Sequence, residues 1–147
     1  MADGKAQGAS QGTADGGRYV LAERAKELPE QADTMLADVY LRDCPDSSAR
    51  LFRVYKPVPA HFHRSCDEYL YVVSGRGTFW MGDASEAAEC RPGQLICFAR
   101  GVVHSIPAII EAPLVFMAID APRRAPDDVH FIEDGAGTAG TFMARNA

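Results

Sequence analysis

The stretch His61-Phe62-His63-Arg64-Ser65-Cys66-Asp67-Glu68-Tyr69-Leu70-Tyr71-Val72-Val73-Ser74-Gly75 supports two readings at once. Its second half alternates Glu68, Leu70 and Val72 against Tyr69, Tyr71 and Val73. A short run of aromatic and β-branched residues closed by a glycine is the pattern of a strand. Glu68 apart, both faces of that strand are apolar, so it needs cover on both sides. The first half sets two imidazoles at i and i+2, which an extended chain places on one face about 6 to 7 Å apart, close enough to converge on one ion. A tight excursion through residues 64–67 then brings the Glu68 carboxylate back toward the same point.

Outward from this stretch, the chain between residues 35 and 120 is a succession of short β-rich runs separated by Gly, Pro, Asp or Ser. The runs predicted as strands are 35–42, 49–56, 61–62, 69–74, 78–81, 88–90, 95–98, 105–111 and 114–120. Asp43-Cys44-Pro45-Asp46-Ser47-Ser48, Gly75-Arg76-Gly77, Gly82-Asp83 and Pro92-Gly93 have turn chemistry and predict hairpins between them. An antiparallel set of about eight short strands without long helices protects its edges by closing into a barrel or a two-sheet jelly roll. The predicted fold is therefore all-β. Residues 1–17, rich in Gly, Ala, Asp and Gln, read as a disordered tail. Residues 18–34 read as a lead-in, with a short strand at 19–21 and helix-compatible sequence over 22–28 that Pro29 stops. Residues 121–147, with Pro122, Pro126 and the glycines of 135–140, read as an irregular wrap.

A third imidazole, His104, follows the turn Arg100-Gly101 and heads the run 105–111, free to point inward. With these positions in view, the chain resembles the cupin superfamily. Its first motif, G-x5-H-x-H-x3-4-E-x6-G, is met by His61, His63, Glu68 and Gly75, with Tyr55 in place of the opening glycine. Its second, G-x5-P-x-G-x2-H-x3-N, is met by Gly93, Gly101 and His104, with Ala99 in place of the proline and Ala108 in place of the asparagine. The resemblance implies an antiparallel double-stranded β-helix, a jelly-roll barrel, with His61, His63, Glu68 and His104 as ligands of one divalent transition metal. Three imidazoles and a carboxylate suit Fe, Mn, Ni, Co, Cu or Zn alike. Asp67 stands beside Glu68 as an alternative carboxylate, and Cys66, between His63 and Glu68, reads as loop filler rather than a further ligand.

Strand parity nominates Arg53, Tyr55, Phe98 and Met117 as pocket residues, Arg53 as a holder of a substrate carboxylate. His130 has no partner at ligand spacing and reads as a surface or packing histidine. No general acid or base is nominated. The chemistry implied is that of a metal-dependent enzyme acting on a small oxygen-bearing molecule, dioxygenase chemistry ahead of isomerase or lyase chemistry. A non-catalytic barrel that binds a small ligand is the rival.

The chain's 147 residues suit one domain, and its 47% hydrophobic and 24% charged residues suit a packed core. Fifteen basic residues against twenty acidic leave a net charge of −5 with no basic cluster, so nucleic acid is not an expected partner. No apolar run approaches the roughly 18 residues that span a bilayer, and no secretory signal opens the chain, so a cytoplasmic location is expected. The four cysteines form no C-x-x-C pair and read as free thiols. The apolar face of Tyr69, Tyr71 and Val73 needs cover from a second sheet or from another subunit, and the resemblance implies a homodimer.

Overall fold

The computed structural model describes residues 16–144. A short helix α1 (Leu21–Arg24) and a single 3-10 turn (Ala25–Glu27) precede β1 (Leu36–Asp43), β2 (Ser48–Val54), β3 (Val58–Phe62), β4 (Asp67–Met81), β5 (Ala88–Cys90), β6 (Leu95–Phe98) and β7 (His104–Ala121). Then come β8 (His130–Phe131), α2 (Ala139–Phe142) and β9 (Met143–Ala144). The protein is all-β, as its sequence predicts. Residues 1–15 of the expected tail lie outside the described part. The lead-in strand expected at 19–21 does not form: Val20 caps α1 and Leu21 begins it. The wrap beyond residue 121 holds more order than its composition suggests. Among the described residues, no helix is long and apolar enough to cross a membrane.

Two long strands organise the sheet. β4 and β7 pair antiparallel from Asp67 opposite Ala121 to Met81 opposite His104, and both bend midway, where the register shifts repeatedly between Val72 and Trp80. On one side of the bend β4 carries β6, and β7 carries β2, β1 and β9. On the other side β4 carries β5, and β7 carries β3 and β8. Each long strand thus serves two sheets that face one another, the jelly-roll arrangement. The turn expected at Gly75-Arg76-Gly77 is instead this bend, and the runs 69–74 and 78–81 are one strand. The runs 105–111 and 114–120 join in the same way. A hairpin and a bend both call for glycine at positive φ, which is why the sequence alone does not separate them. Gly75 has φ +77°, and a Cβ there would overlap the carbonyl oxygens of Glu111 and Pro113 and stand 2.7 Å from Leu114 Cα.

Between the sheets lies the core, built on alternation. Phe52 and Val54 on β2, Leu70 and Val72 on β4, and Leu114, Phe116 and Ala118 on β7 all point inward. Phe52 and Phe116, opposite one another in the ladder, stack with ring centroids 5.1 Å apart. The outer face of the larger sheet is also apolar, and the lead-in covers one end of it: Leu28 packs on Leu51 and Val115, with Val73 and Met117 beside them. Burying such a side chain contributes about 1.5–3 kcal/mol. Tyr69, farther along that face, remains 40% exposed.

Gly75→Ala is expected to lower the stability of the protein by more than about 2 kcal/mol, since a left-handed backbone and the overlap with β7 act together. Gly82→Ala, at φ +79° with open space around the added methyl, should cost about 1 kcal/mol. Urea midpoints of the two variants make the comparison, and equal losses would refute the bend as the source of the constraint.

Candidate metal centre

Three imidazoles meet inside the barrel. His61 stands near the end of β3, His104 is the first residue of β7 and its direct cross-strand partner, and His63 follows β3 by one residue. Their ring centroids lie 4.2 Å (His61 to His104), 5.2 Å (His61 to His63) and 5.1 Å (His63 to His104) apart. One ring nitrogen from each falls within 4.8 Å of the other two. All three residues are 3% exposed.

The backbone sets the tautomer of each ring. His61 Nδ1 donates to the carbonyl of Pro59 (2.8 Å), His63 Nδ1 to that of Asp128 (2.6 Å) and His104 Nδ1 to that of Val102 (3.0 Å). With Nδ1 protonated, each Nε2 keeps a free lone pair, the arrangement by which proteins orient metal-ligating histidines. Burial, with the neighbouring His61 charge next, pushes His63 down to about 3. Burial and then His63 push His104 down to about 3, and His61 is lowered likewise by burial and His104. All three are therefore neutral near pH 7 and able to bind a cation.

The excursion through residues 63–66 is pinned from outside the motif. The Asp128 carboxylate accepts from Arg64 N (2.7 Å) and Ser65 N (3.0 Å), and His130 Nε2 sits 3.0 Å from its Oδ1. Of the two adjacent carboxylates, Asp67 turns outward, accepting from Arg100 N (3.0 Å) and Nε (3.1 Å), while Glu68 turns inward and is buried. Cys66 is buried too, and burial pushes its thiol up to about 12, away from thiolate chemistry. All four cysteines are free.

Glu68 lies beside the histidines rather than among them. Its Oε1 is 3.9 Å from His63 Nε2, outside the tight group of three nitrogens, and its Oε2 is 3.4 Å from Arg50 Nη2. Arg50, itself buried, donates through Nε to Asp120 Oδ2 (3.0 Å) and through Nη1 to Asp38 Oδ2 (3.5 Å). Burial and the facing Asp120 carboxylate raise the Glu68 pKa well above the ordinary range against the pull of Arg50. Asp120 moves the other way: burial works to raise it, but Arg50 prevails and holds it low.

Of the four residues expected to line a pocket, the structure brings Phe98 to the histidines, its ring centroid 4.1 Å from that of His104. Arg53, Tyr55 and Met117 lie elsewhere. Arg53 stacks on Tyr55 at 5.1 Å and borders a hollow of about 420 Å³ under the lead-in, while Met117 packs against Leu51 and Leu28. The parity assignment fails because β2 buries apolar residues on both faces, Leu51 under the lead-in and Phe52 and Val54 in the barrel, so neither face is marked as inner. The polar residues that do enter the barrel, Asp38, Arg50, Asp120 and Arg124, have no local motif. The cavity at the site has a volume of about 20 Å³. The 420 Å³ hollow, and another of about 450 Å³ flanked by β5 and β6, hold none of the three histidines.

The profile of the Cupin domain family matches residues 52–120. No curated protein matches the chain. Among solved structures, KdgF from Halomonas sp. is similar at 20% identity, over 67% of this chain and 90% of that one, with a TM-score of 0.58. Streptomyces Pac13 with uridine, a nucleoside dehydratase, is similar at 18% identity over 74% and 89%, with a TM-score of 0.57. A cupin-2 domain protein from Shewanella frigidimarina gives 17% identity over 69% and 92%, with a TM-score of 0.56. At these identities the likeness is one of fold.

The depressed imidazoles make the metal-free protein less stable in acid. Unfolded histidines take up protons below about pH 6.5 while folded His63 and His104 resist until about pH 3, so the contribution of each is present above pH 6.5 and is lost as pH falls. The slope is at most about 1.4 kcal/mol per pH unit for each histidine. The raised Glu68 acts oppositely, its contribution being lost as pH rises above about 4.5. Urea unfolding of wild type and His104→Gln at pH 7.5 and 5 should show a smaller loss on acidification in the variant.

Proposed function

Because the chain is a member of the cupin superfamily, we propose that it is a metal-dependent enzyme acting on a small oxygen-bearing molecule, with His61, His63 and His104 holding one divalent transition metal. The observation that carries this reading is the set of three buried, neutral imidazoles, each fixed at Nδ1 by a backbone carbonyl. Nitrogen donors of this kind fit Fe, Mn, Ni, Co, Cu and Zn. Such an ion, when bound, supplies Lewis-acid polarisation of a substrate carbonyl or hydroxyl.

The chain's own residues supply a proton site next to it. Glu68, expected from the resemblance as the fourth ligand, is held at Oε2 by Arg50, and its raised pKa suits a carboxyl that gives and takes a proton. Phe98 and the apolar barrel wall keep water away, which strengthens each charge interaction at the site. A proton carrier beside a Lewis acid favours isomerase or lyase chemistry over the dioxygenase chemistry that the sequence puts first. That a protein of the same fold is a nucleoside dehydratase is in keeping with this order. The exposed Tyr69 end of the outer sheet face is where a second copy of the chain would pack.

Metal analysis and turnover assays test the reading. Purified wild type should carry about one equivalent of metal, and His61→Ala and His104→Ala should bind it about 10–100-fold more weakly or worse. Glu68→Gln should keep the metal while lowering kcat by about 10²–10⁴. Loss of metal from Glu68→Gln would return Glu68 to the ligand set. Turnover that consumes oxygen would put dioxygenase chemistry first, and a retained ligand without turnover would mark a binding module. Full metal occupancy in both histidine variants would remove the site altogether.

A further inference from the structure

The cavity beside the histidines, about 20 Å³, is little larger than the roughly 10–15 Å³ that one water needs. No organic substrate reaches the three nitrogens until something moves. Eleven side chains line this cavity: ten stand on β1, β2, β3, β4 and β7, and the eleventh is Phe142 of α2. The ten belong to the ladders that build the barrel. Phe142 does not. Its ring lies 5.1 Å from that of His61, 6.3 Å from that of His63 and 6.1 Å from that of Phe131.

The segment that carries Phe142 packs that ring into the core but has few backbone ties to the barrel. α2 is closed on itself by Thr138 and Thr141, each side chain bonding the other's backbone N–H. Its ties to β1 are the parallel pairs of Met143 with Leu36 and Ala144 with Ala37, together with Met35 N donating to Thr141 O at 2.9 Å. Gly135, at φ +77°, lies just upstream.

The Arg124 guanidinium stands over the Phe142 ring at 5.6 Å. Arg124 is 5% exposed, its Nη1 donates to the backbone carbonyls of Ala125 (3.2 Å) and Pro126 (3.5 Å), and its Nε is buried without an acceptor. Arg50, by contrast, meets a carboxylate with Nε and with each Nη. The charges of Glu68 and Asp120 act on Arg124, but among the described residues no carboxylate bonds its nitrogens, so a buried Nε stands without an acceptor beside one aromatic ring, a place suited to a flat occupant that carries an acceptor oxygen.

We propose that residues 138–144 form a removable plug, and that the space filled by the Phe142 ring is the substrate pocket, which takes a ring-sized organic anion whose charge is met by Arg124. This rests on the reading of the three histidines as the reactive centre. Phe131 and His61 then pack against the bound ring as they do against Phe142, and an anionic oxygen gives Arg124 Nε the acceptor it lacks.

The probes are benzoate and its neutral counterpart benzyl alcohol, titrated calorimetrically into metal-free protein so that the result is independent of metal loading. Phe142→Ala should bind both, benzoate at least tenfold more tightly, and wild type should bind benzoate at least tenfold more weakly than the variant. Adding Arg124→Met should abolish the preference for benzoate and leave benzyl alcohol binding in place. Absence of benzoate binding by folded Phe142→Ala, or an undiminished preference without Arg124, overturns the pocket. Hydrogen exchange of the wild type tests the plug without any substitution: the amides of Thr141 and Met143 should exchange at least 100-fold faster than those of Phe52 and Phe116. Equal protection overturns it. The metal content of wild type reports separately on the histidine site, so failure of that reading is distinguishable from failure of this one.

Discussion

The strands around the site converge on one buried cation, Arg50. Arg50 is 2% exposed, and an ion taken so far from water costs several kcal/mol unless counter-charges surround it. The chain supplies them from three strands: Asp38 from β1, Glu68 from β4 and Asp120 from β7, with Arg50 itself on β2. Four strands of one sheet are thus tied to a single guanidinium, and their inward parity is fixed with it, because a slip of one residue would turn a charge out of the cluster and an apolar side chain to the wrong face. A well-packed apolar substitute would serve stability as well or better. What an apolar group would not do is hold the Glu68 carboxylate in one orientation, 3.9 Å from His63. The cluster is best understood as orienting that group.

This also explains which parts of the protein are legible in its sequence. His61, His63 and Glu68 stand within eight residues of one another, on one strand end and the start of the next, so local spacing reveals them. His104 comes into view through the turn that precedes it. Asp38, Arg50, Asp120 and Arg124 reach the same space from distant positions, each looking locally like an ordinary charged residue on a strand or in a loop. Their inward direction depends on strand register, which only the assembled sheet defines. The nomination of Arg53 and Tyr55 in place of Arg50 shows the cost. The lead-in covers Leu51 and hides the contrast between inner and outer faces on which parity reasoning relies.

The strands raise a similar point. Their existence is legible almost throughout, and β5 and β6 fall where alternation places them. One predicted turn, at Gly75-Arg76-Gly77, is a bend within a longer strand, because glycine at positive φ is shared by turns and bends alike, and the break expected between the runs 105–111 and 114–120 is also continuous strand. The difference matters to the fold. As hairpins these residues would leave more, shorter strands. As bends they let β4 and β7 pair along their whole lengths and pass from one sheet to the other, so that His104 at one end of β7 and Asp120 at the other serve a common interior.

That interior leaves access to the periphery. The barrel strands hold the imidazoles through ladders and backbone carbonyls, a rigid frame suited to fixing ligand geometry. The same ladders cannot open without breaking many hydrogen bonds at once. Residues outside the barrel are under no such restriction: Asp128 pins the loop of His63 from the segment after β7, and Phe142 closes the cavity from α2. Positioning is thus concentrated in the strands, while the elements that follow β7 supply both the support of His63 and a ring packed against His61 and His63. The motif residues build the group of three imidazoles, and in the proposed plug what reaches it is governed by the wrap, where the sequence carries no motif.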